Sequence, residues 1–351
     1  MLKNISLIYF ILLILSNLRK KSFESLGEII GKSGDTIRRL LPTIEDSSLL
    51  LIKIANKIFE NNDELILPID TTLIKKEYSK LIEGTEYWYD CRLKKGILSY
   101  KLQIASLTNG KFIIPIKAEF VSSKKYAVSI NKDNTETNVA KRLIDYVIEN
   151  FKNKKITITG DGAYASIELI NHCLSKNVNL VARMPKNRKV LYKGKYSKIE
   201  DIKELKITSN RPTRTIRKVL WHGFELDITA RIRINKKGKE QVIYILSISK
   251  FSSKIRPSSI YNFFNYRWKE ETVHRSAKQT FGIDTCFSIN KNVQISHIYA
   301  SLVSYSLCQL HRKIKRLTNP EEARDLLKHK KLSFLIKYFI QILRLDQIFV
   351  D

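Results

Sequence analysis

Cysteine is scarce in this sequence, and its few copies are not arranged as metal ligands or as a disulfide framework. The 351 residues contain four, Cys91, Cys173, Cys286 and Cys308. No two of them have C-x-x-C spacing, which excludes a zinc knuckle and a disulfide scaffold. The six histidines are scattered and show no metal-ligand spacing. We therefore expect free thiols in a reducing cytoplasm.

Long apolar runs are also missing. The most apolar stretch, residues 5–15, is too short for a transmembrane helix. A clear small-residue cleavage site does not follow it, which argues against a secretory signal peptide. We expect these residues to form a buried helix in a cytoplasmic protein that binds no membrane and acts on no small-molecule substrate.

Acidic residues are few relative to basic ones. Lys and Arg number 63 and Asp and Glu 34, so the formal net charge is +29. Such a surplus repels itself unless a polyanion neutralises it, and nucleic acid is the polyanion that Lys and Arg commonly bind. The alternative is a solvated, lysine-rich surface without a partner. A hydrophobic content of 43% provides for a real core and excludes a disordered chain.

The N-terminal region carries a specific helical pattern. An amphipathic run over residues 22–30 is broken by Gly31-Lys32-Ser33, and a second run over residues 34–41 ends at Pro42. Ser33 is placed to cap the second helix, whose exposed face would carry Arg38 and Arg39. Two short helices around a glycine-containing turn predict a helix-turn-helix that binds DNA. An ordinary helical hairpin is the alternative.

From residue 64 onward the pattern changes to strands alternating with helices. The predicted order is strand, strand, strand, helix, strand, helix, strand, over residues 65–69, 99–107, 112–120, 136–151, 155–159, 163–174 and 178–184. This order predicts an α/β fold with a ribonuclease H-like mixed sheet flanked by helices. The predicted divisions are a helical DNA-binding region at 1–60, a core at 64–185 and 242–290, a β-rich insertion at 186–241 and a helical tail at 291–351.

Two aspartates stand at the ends of predicted strands. Asp70 ends the first strand and Asp161 ends the fourth, within Gly160-Asp161-Gly162. If these strands are parallel neighbours, both carboxylates emerge at one edge and repel each other unless a cation lies between them. Hard oxygen ligands suit Mg²⁺ or Mn²⁺. The alternative is that each aspartate caps a turn or a following helix.

The segment 264–278 places charged residues along one face of a predicted helix. Relative to Glu271, helical spacing brings Phe264, Arg267, His274 and Lys278 to the same side. Burying unpaired charges is costly, so this face should meet solvent or a charged ligand. A solvent-exposed Arg267–Glu271 ion pair is the alternative to a functional site.

The spacing Phe264-x2-Arg267-x3-Glu271-x6-Lys278 resembles the tyrosine-arginine-glutamate-lysine signature of a large group of bacterial insertion-sequence transposases of the DDE type. The single departure is phenylalanine in place of tyrosine. The match selects Glu271 rather than the adjacent Glu270 as the third acid. It extends over about residues 65–290, and the family's members with a β-rich insertion have a similar gap between the second and third acids.

The resemblance implies a DNA transposase that cuts element ends and joins them to target DNA by a cut-and-paste route. It implies two Mg²⁺ ions, replaceable by Mn²⁺, held by the catalytic acids Asp70, Asp161 and Glu271. Arg267 and Lys278 would then hold phosphates or donor-end DNA, and a homodimer would assemble on DNA.

Trp221 and Tyr164 are further candidate DNA contacts, and each has two possible interpretations. Trp221 could stack on a flipped base, although an aromatic residue in an alternating strand is more often part of the core. Tyr164 could contact DNA beside Asp161 or pack at the start of a helix. Phe264 would lack the family's hydroxyl contact. Two rival functions are a ribonuclease H-like nuclease without transposition and a non-catalytic, transposase-derived DNA-binding protein.

Overall fold

The structure is a computed structural model that describes residues 4–16, 22–78, 80–123, 133–208, 212–234, 238, 240–252 and 255–345. The start of the predicted N-terminal region and the last six residues of the predicted helical tail lie outside the described residues.

In the described part of the chain, eleven strands form one mixed sheet in the order β2-β3-β1-β5-β6-β11-β10-β9-β7-β8, with β4 also paired to β3. The strands are β1 Glu64–Lys75, β2 Glu86–Asp90, β3 Lys95–Thr108, β4 Ile113–Val121, β5 Lys155–Gly160, β6 Asn179–Met184, β7 Lys189–Tyr192, β8 Lys195–Lys198, β9 Thr213–Trp221, β10 Phe224–Ile234 and β11 Glu240–Ile248.

The described helices lie before, between and after these strands. They are α1 Asn4–Leu15, α2 Phe23–Glu28, α3 Gly34–Arg39, α4 Ile44–Phe59, α5 Glu136–Asn150, α6 Ile167–Ser175, α7 Ser249–Ser252, α8 Pro257–Asn265, α9 Trp268–Gln279, α10 Lys291–Lys315, α11 Pro320–Leu327 and α12 Leu332–Leu343. Helix α8 packs on β6 and β11, and α9 packs on β1 and β4.

The centre of the sheet has the order β4-β3-β1-β5-β6. Strands β1, β5 and β6 are parallel, whereas β3 runs antiparallel to β1 and β4 antiparallel to β3. The apolar run from Leu65 to Ile69 in β1 is buried, as expected of a parallel strand covered on both faces. The predicted α/β class with a mixed sheet flanked by helices is confirmed, and the arrangement is consistent with a ribonuclease H-like core.

The β-rich stretch after β6 continues the same sheet. Strand β11 pairs antiparallel with β6, and β10, β9 and β7 follow outward from it. The alternating pattern predicted over residues 219–234 is interrupted at His222-Gly223, where both residues have positive φ and form the turn between β9 and β10.

Two predicted elements have different boundaries in the structure, and one strand is new. The first strand does not end at Asp70 but continues to Lys75, because Asp70 to Lys75 pair with Ile104 to Ser99 of β3. Strand β2 was not predicted. The helix predicted from residue 163 begins at Ile167, since residues 162–164 form a 3₁₀ turn and Ser166 caps the helix through Leu169 N–H.

The apolar N-terminal run forms α1, as predicted, and most of its side chains from Leu7 to Ile14 are buried. It packs against α10, α11 and α12. Within it, the Tyr9 hydroxyl lies 2.8 Å from Nδ1 of His297, whose Nε2 lies 2.8 Å from the Gly282 carbonyl oxygen. Nε2 therefore carries the proton, and Tyr9 donates to Nδ1. Among the described residues, no helix combines the length and apolar character needed to cross a membrane.

We predict that Tyr9→Phe destabilises the protein by about 1–3 kcal/mol, because it removes a buried hydrogen bond between α1 and α10. The measurement is urea unfolding of the full chain. The matched control is Tyr196→Phe, since Tyr196 on β8 is 73% exposed and should leave the free energy of unfolding unchanged. Equal unfolding curves for wild type and Tyr9→Phe would show that α1 does not depend on this contact.

Candidate active site

Asp70 and Asp161 are brought together by the parallel pairing of β1 and β5. The last paired residues are Pro68 on β1 and Thr159 on β5. Each aspartate lies two residues beyond its member of this pair, so alternation directs both side chains to the same face of the sheet. The structure therefore has the two carboxylates side by side, as the sequence predicted.

The surroundings of Asp70 disfavour its charged form. Burial, with smaller contributions from the carboxylates of Asp161 and Glu271, raises the pKa of Asp70 to about 6, while the Thr71 N–H and the guanidinium of Arg267 act in the opposite direction. Oδ1 of Asp70 accepts a hydrogen bond of 2.9 Å from Thr71 N–H. Asp161 and Glu271 thus both act electrostatically on Asp70, which is the condition in which a bound cation is stabilising.

The backbone around Asp161 leaves little space on one side. Oδ1 of Asp161 accepts a 2.8 Å hydrogen bond from Ala163 N–H, which holds the turn after β5. A Cβ at Gly160 would lie 2.5 Å from the ring of Tyr164, so glycine is needed there. Tyr164 is buried, and its hydroxyl accepts a hydrogen bond from Nε2 of Gln103. Its ring therefore packs beneath the turn instead of facing solvent.

Glu271 lies on α9, opposite the two aspartates. The segment predicted as one helix over residues 264–278 is two helices, α8 and α9, joined by Tyr266 and Arg267. Nη1 of Arg267 lies 3.9 Å from Oε1 of Glu271, and the Glu271 side chain is 46% exposed. The Arg267 guanidinium lies 5.7 Å from the ring centre of Phe264 and 4.8 Å from that of Trp268. The rings of Phe264 and Trp268 thus hold Arg267 in place, whereas the exposed side chain of Glu271 can reorient.

The adjacent Glu270 is enclosed by the protein, unlike the exposed Glu271. It is fully buried, and Oε1 lies 3.6 Å from Nε2 of His274. Among the described residues, neither of its carboxylate oxygens has a hydrogen-bond partner. Burial raises the pKa of Glu270 well above its usual value, opposed by the Ser106 hydroxyl and reinforced by Asp70. Of the two neighbouring glutamates, Glu271 is therefore the one whose side chain can reach a ligand in solvent.

The charged face of α9 meets β1 more than it meets solvent, which differs from the expectation. Nζ of Lys278 donates a 2.6 Å hydrogen bond to Oγ1 of Thr72, two residues after Asp70. Burial lowers the pKa of Lys278. Burial, assisted by Lys278, lowers the pKa of His274 to about 3, so its imidazole is neutral at neutral pH. Strand β1 continues past Asp70 with polar residues, and the sheet can therefore accommodate the charged face of α9.

A cleft of about 550 Å³ opens beside Asp161. Arg183, Lys186 and Arg267 line it, and Phe264 forms part of its wall. Arg183 and Lys186 were not predicted as site residues. The available signal was Arg183 itself, a charged residue in the otherwise apolar strand β6, where it is the exposed position. The cleft combines cationic side chains with a carboxylate, which suits a phosphate backbone next to a metal.

The remaining candidate residues lie away from solvent or away from the acids. Phe264 is buried among Val181, Ile243, Ile245 and Ile260. Trp221 is 5% exposed, in agreement with the core alternative.

Arg38 and Arg39 are exposed on α3, and both pair with Asp35, at 3.5 and 2.5 Å. Ser33 caps α3 by accepting a hydrogen bond from Thr36 N–H, as predicted.

The donor chemistry of the site fits a hard divalent cation, because Asp70, Asp161 and Glu271 supply carboxylate oxygens. Among the described residues, no three His, Cys, Asp or Glu side chains converge closely enough to enclose a metal ion. The two aspartates are side by side, and Glu271 is directed toward solvent beside Arg267.

A family model described as the transposase DDE domain matches residues 61–307. The match covers most of the chain and includes β1, β5 and α9, with all three acids. Transposases of this type generally depend on divalent metals. No curated protein is similar enough to the chain to count as a match.

We predict that Asp70→Asn stabilises the metal-free protein at pH 8 by about 1–3 kcal/mol, since one pKa unit corresponds to about 1.36 kcal/mol. The folded protein binds the Asp70 proton more tightly than the unfolded chain, so the stability of wild type falls as pH rises from about 4 to about 6. At pH 4 the stability difference between Asp70→Asn and wild type should largely vanish.

Urea unfolding in a chelator at both pH values measures this difference. Glu225→Gln, at an exposed carboxylate on β10, is the control and should change stability at neither pH. A gain of the same size at pH 4 and pH 8 would refute electrostatic strain at Asp70.

Proposed function

The chain belongs to the transposase DDE domain family, and from this premise we propose that Asp70, Asp161 and Glu271 are the acids with which it cuts element ends and joins them to target DNA. A DDE transposase catalyses DNA cleavage and strand transfer. The observation that carries the assignment is the side-by-side position of Asp70 and Asp161 beyond the paired ends of β1 and β5, with Glu271 electrostatically coupled to Asp70.

We propose Mg²⁺ as the metal, as two ions for which Mn²⁺ substitutes. Asp70, Asp161 and Glu271 would hold the ions through their carboxylate oxygens. When bound, the ions would lower the pKa of water or a 3′-hydroxyl and offset charge on the leaving oxygen at phosphorus. The chain's own part is to hold the carboxylates close together. Arg267 assists, because its charge favours the ionised form of Asp70.

Cationic side chains around the acids would bind the DNA backbone. Arg183 and Lys186 line the cleft beside Asp161, and Arg267 lies between this cleft and Glu271. A planar guanidinium can donate two hydrogen bonds to one phosphate, which orients the strand as well as attracting it. Lys278 is mostly buried beside Thr72, so we assign it to holding α9 on β1 at the edge of the DNA path.

The finer assignment rests on the spacing of Arg267, Glu271 and Lys278 and on the sheet order, which support a ribonuclease H-like core with the tyrosine-arginine-glutamate-lysine signature. A cut-and-paste pathway, a cytoplasmic location and a homodimer on DNA are further parts of this proposal. We also propose that α2 and α3 bind DNA, with Arg38 and Arg39 released from Asp35 to contact phosphates.

We predict that Glu271→Gln lowers metal-dependent cleavage of a labelled duplex carrying the element's end by at least about a hundredfold, because the amide is a poor metal ligand. The neighbouring Glu270→Gln should keep most of the activity, because Glu270 is fully buried and directed toward His274. Both variants should bind the duplex as wild type does.

Cleavage is measured with Mg²⁺, with Mn²⁺ and with chelator alone. Loss of activity in Glu270→Gln with full activity in Glu271→Gln would reverse the assignment of the third acid. Binding without cleavage by wild type in either metal would favour a non-catalytic DNA-binding protein, and cleavage without any strand transfer would favour a nuclease.

We predict that Arg38→Ala/Arg39→Ala weakens duplex binding and lowers the slope of log affinity against log salt by about 2, because each phosphate contact releases about one counterion. The matched control is Lys330→Ala/Lys331→Ala, an equally charged exposed pair beside α12. An identical salt slope in wild type and the α3 variant would remove α3 from the DNA interface.

A further inference from the structure

Strand β2 carries exposed aromatic side chains for which the proposed catalytic site gives no account. Tyr87 is 68% exposed and Tyr89 is 64% exposed. Isolated apolar residues on a surface are normal, but two large rings on one strand at alternate positions form a continuous apolar strip. The strand lies at the outer end of the sheet, where β3 is its paired neighbour.

The register of the sheet directs these two rings to the face that carries the acids. Asp70 pairs with Ile104 of β3. Counting back by twos along β3 leads to Leu98 and Gly96, which pair with Tyr87 and Tyr89 respectively. Paired residues of antiparallel strands point to the same side.

The space next to Tyr89 is open. A Cβ added at Gly96 would meet no atom within 4 Å. The glycine opposite Tyr89 therefore leaves one side of the ring uncovered, with room for a planar group to lie along it. The intervening Trp88 points to the other face, where Nζ of Lys101 lies 5.0 Å from its ring centre.

The turn between β2 and β3 adds positive charge close to the catalytic helix. Residues 91–95 contain three basic side chains, Arg92, Lys94 and Lys95, and no acidic one, and Lys95 pairs with Glu77 at 3.6 Å. Arg92 lies near enough to Lys278 to lower its pKa, as does Lys75. The turn that follows the two tyrosines therefore lies near Lys278, whose Nζ contacts Thr72, two residues after Asp70.

We propose that this surface, Tyr87, Tyr89 and the basic turn of residues 91–95, binds an unpaired DNA strand as it leaves the catalytic acids. Every base has a face on which an aromatic ring can stack, and a cationic groove follows the backbone whatever the sequence. Paired bases do not offer these faces, so the tyrosines distinguish single-stranded from duplex DNA. The inference rests on the proposed role in DNA cleavage and identifies where a separated strand is held.

A second copy of the chain fits this edge less well. Strand β2 has five residues, and charged side chains stand at both of its ends, Glu86 and Asp90. Short strands bounded by charges pair poorly with other chains.

The test compares wild type, Tyr87→Ala/Tyr89→Ala and the control Tyr196→Ala, which removes an equally exposed tyrosine from β8. The probes are a fluorescent twenty-nucleotide oligo-dT strand and a duplex of the same length, at one fixed salt concentration. The double variant should bind the single strand at least about tenfold more weakly, with duplex affinity unchanged within about twofold. Tyr196→Ala should behave as wild type.

Equal loss of single-strand and duplex binding, or no loss of either, would overturn the proposal. Concentration-dependent self-association of wild type that is lost in the double variant, with unchanged single-strand binding, would instead assign the edge to a second copy. Cleavage of the element-end duplex, measured in parallel, separates the two proposals. Absent cleavage with tyrosine-dependent strand binding would reject the catalytic role alone, and normal cleavage with tyrosine-independent strand binding would reject the strand surface alone.

Discussion

The close placement of two carboxylates, Asp70 within β1 and Asp161 just after β5, is the constraint on which the rest of this site depends. The parallel pairing up to Pro68 and Thr159 fixes the backbone on which both residues stand. Burial, with smaller contributions from the carboxylates of Asp161 and Glu271, raises the pKa of Asp70 to about 6. A cation between them converts this unfavourable arrangement into a binding site. The fold thus holds in place an arrangement that is unfavourable without a ligand.

Some charged residues of helix α9 hold the helix in place, and another is available for catalysis. Glu270 and His274 face the interior, and burial favours their uncharged forms. Lys278 anchors the helix to Thr72 beside Asp70. Glu271 is the exposed member of the group, adjacent to Arg267. The face of α9 can therefore fix the distance between the helix and β1 and still leave the carboxylate of Glu271 mobile. This explains how Glu271 could approach Asp70 and Asp161 when metal and DNA bind.

Much of the central sheet could be predicted because β1, β5 and β6 are rich in apolar and β-branched residues and are bounded by turn and helix patterns. The sequence was less informative where polar residues form strands. The second half of β1, from Asp70 to Lys75, has no apolar pattern and is a strand because β3 pairs with it. Strand β2 was not predicted because it is five residues long and has no buried position that would give an alternating pattern.

At the site, local patterns identified the aspartates and the spacing on α9, but side-chain burial depends on tertiary packing. The charged face of α9 was expected to meet solvent or a charged ligand; Glu271 is exposed, whereas His274 is buried and Lys278 contacts Thr72, because β1 extends beneath the helix. Arg183 and Lys186 were missed because their importance lies in being next to Asp161 in space. Neither the direction of Glu270 nor the common face of Tyr87 and Asp70 can be derived without the register of β3.

The most direct measurement is cleavage of a labelled element-end duplex by Asp161→Cys in Mg²⁺ and in Mn²⁺. A thiolate is a poor ligand for Mg²⁺ and a better one for softer ions. If Asp161 holds a catalytic metal, the variant should lose cleavage in Mg²⁺ and recover a substantial part of it in Mn²⁺, while wild type cleaves with both. Full activity of a folded Asp161→Cys variant in Mg²⁺ as well as in Mn²⁺ would contradict a role of this carboxylate as a metal ligand.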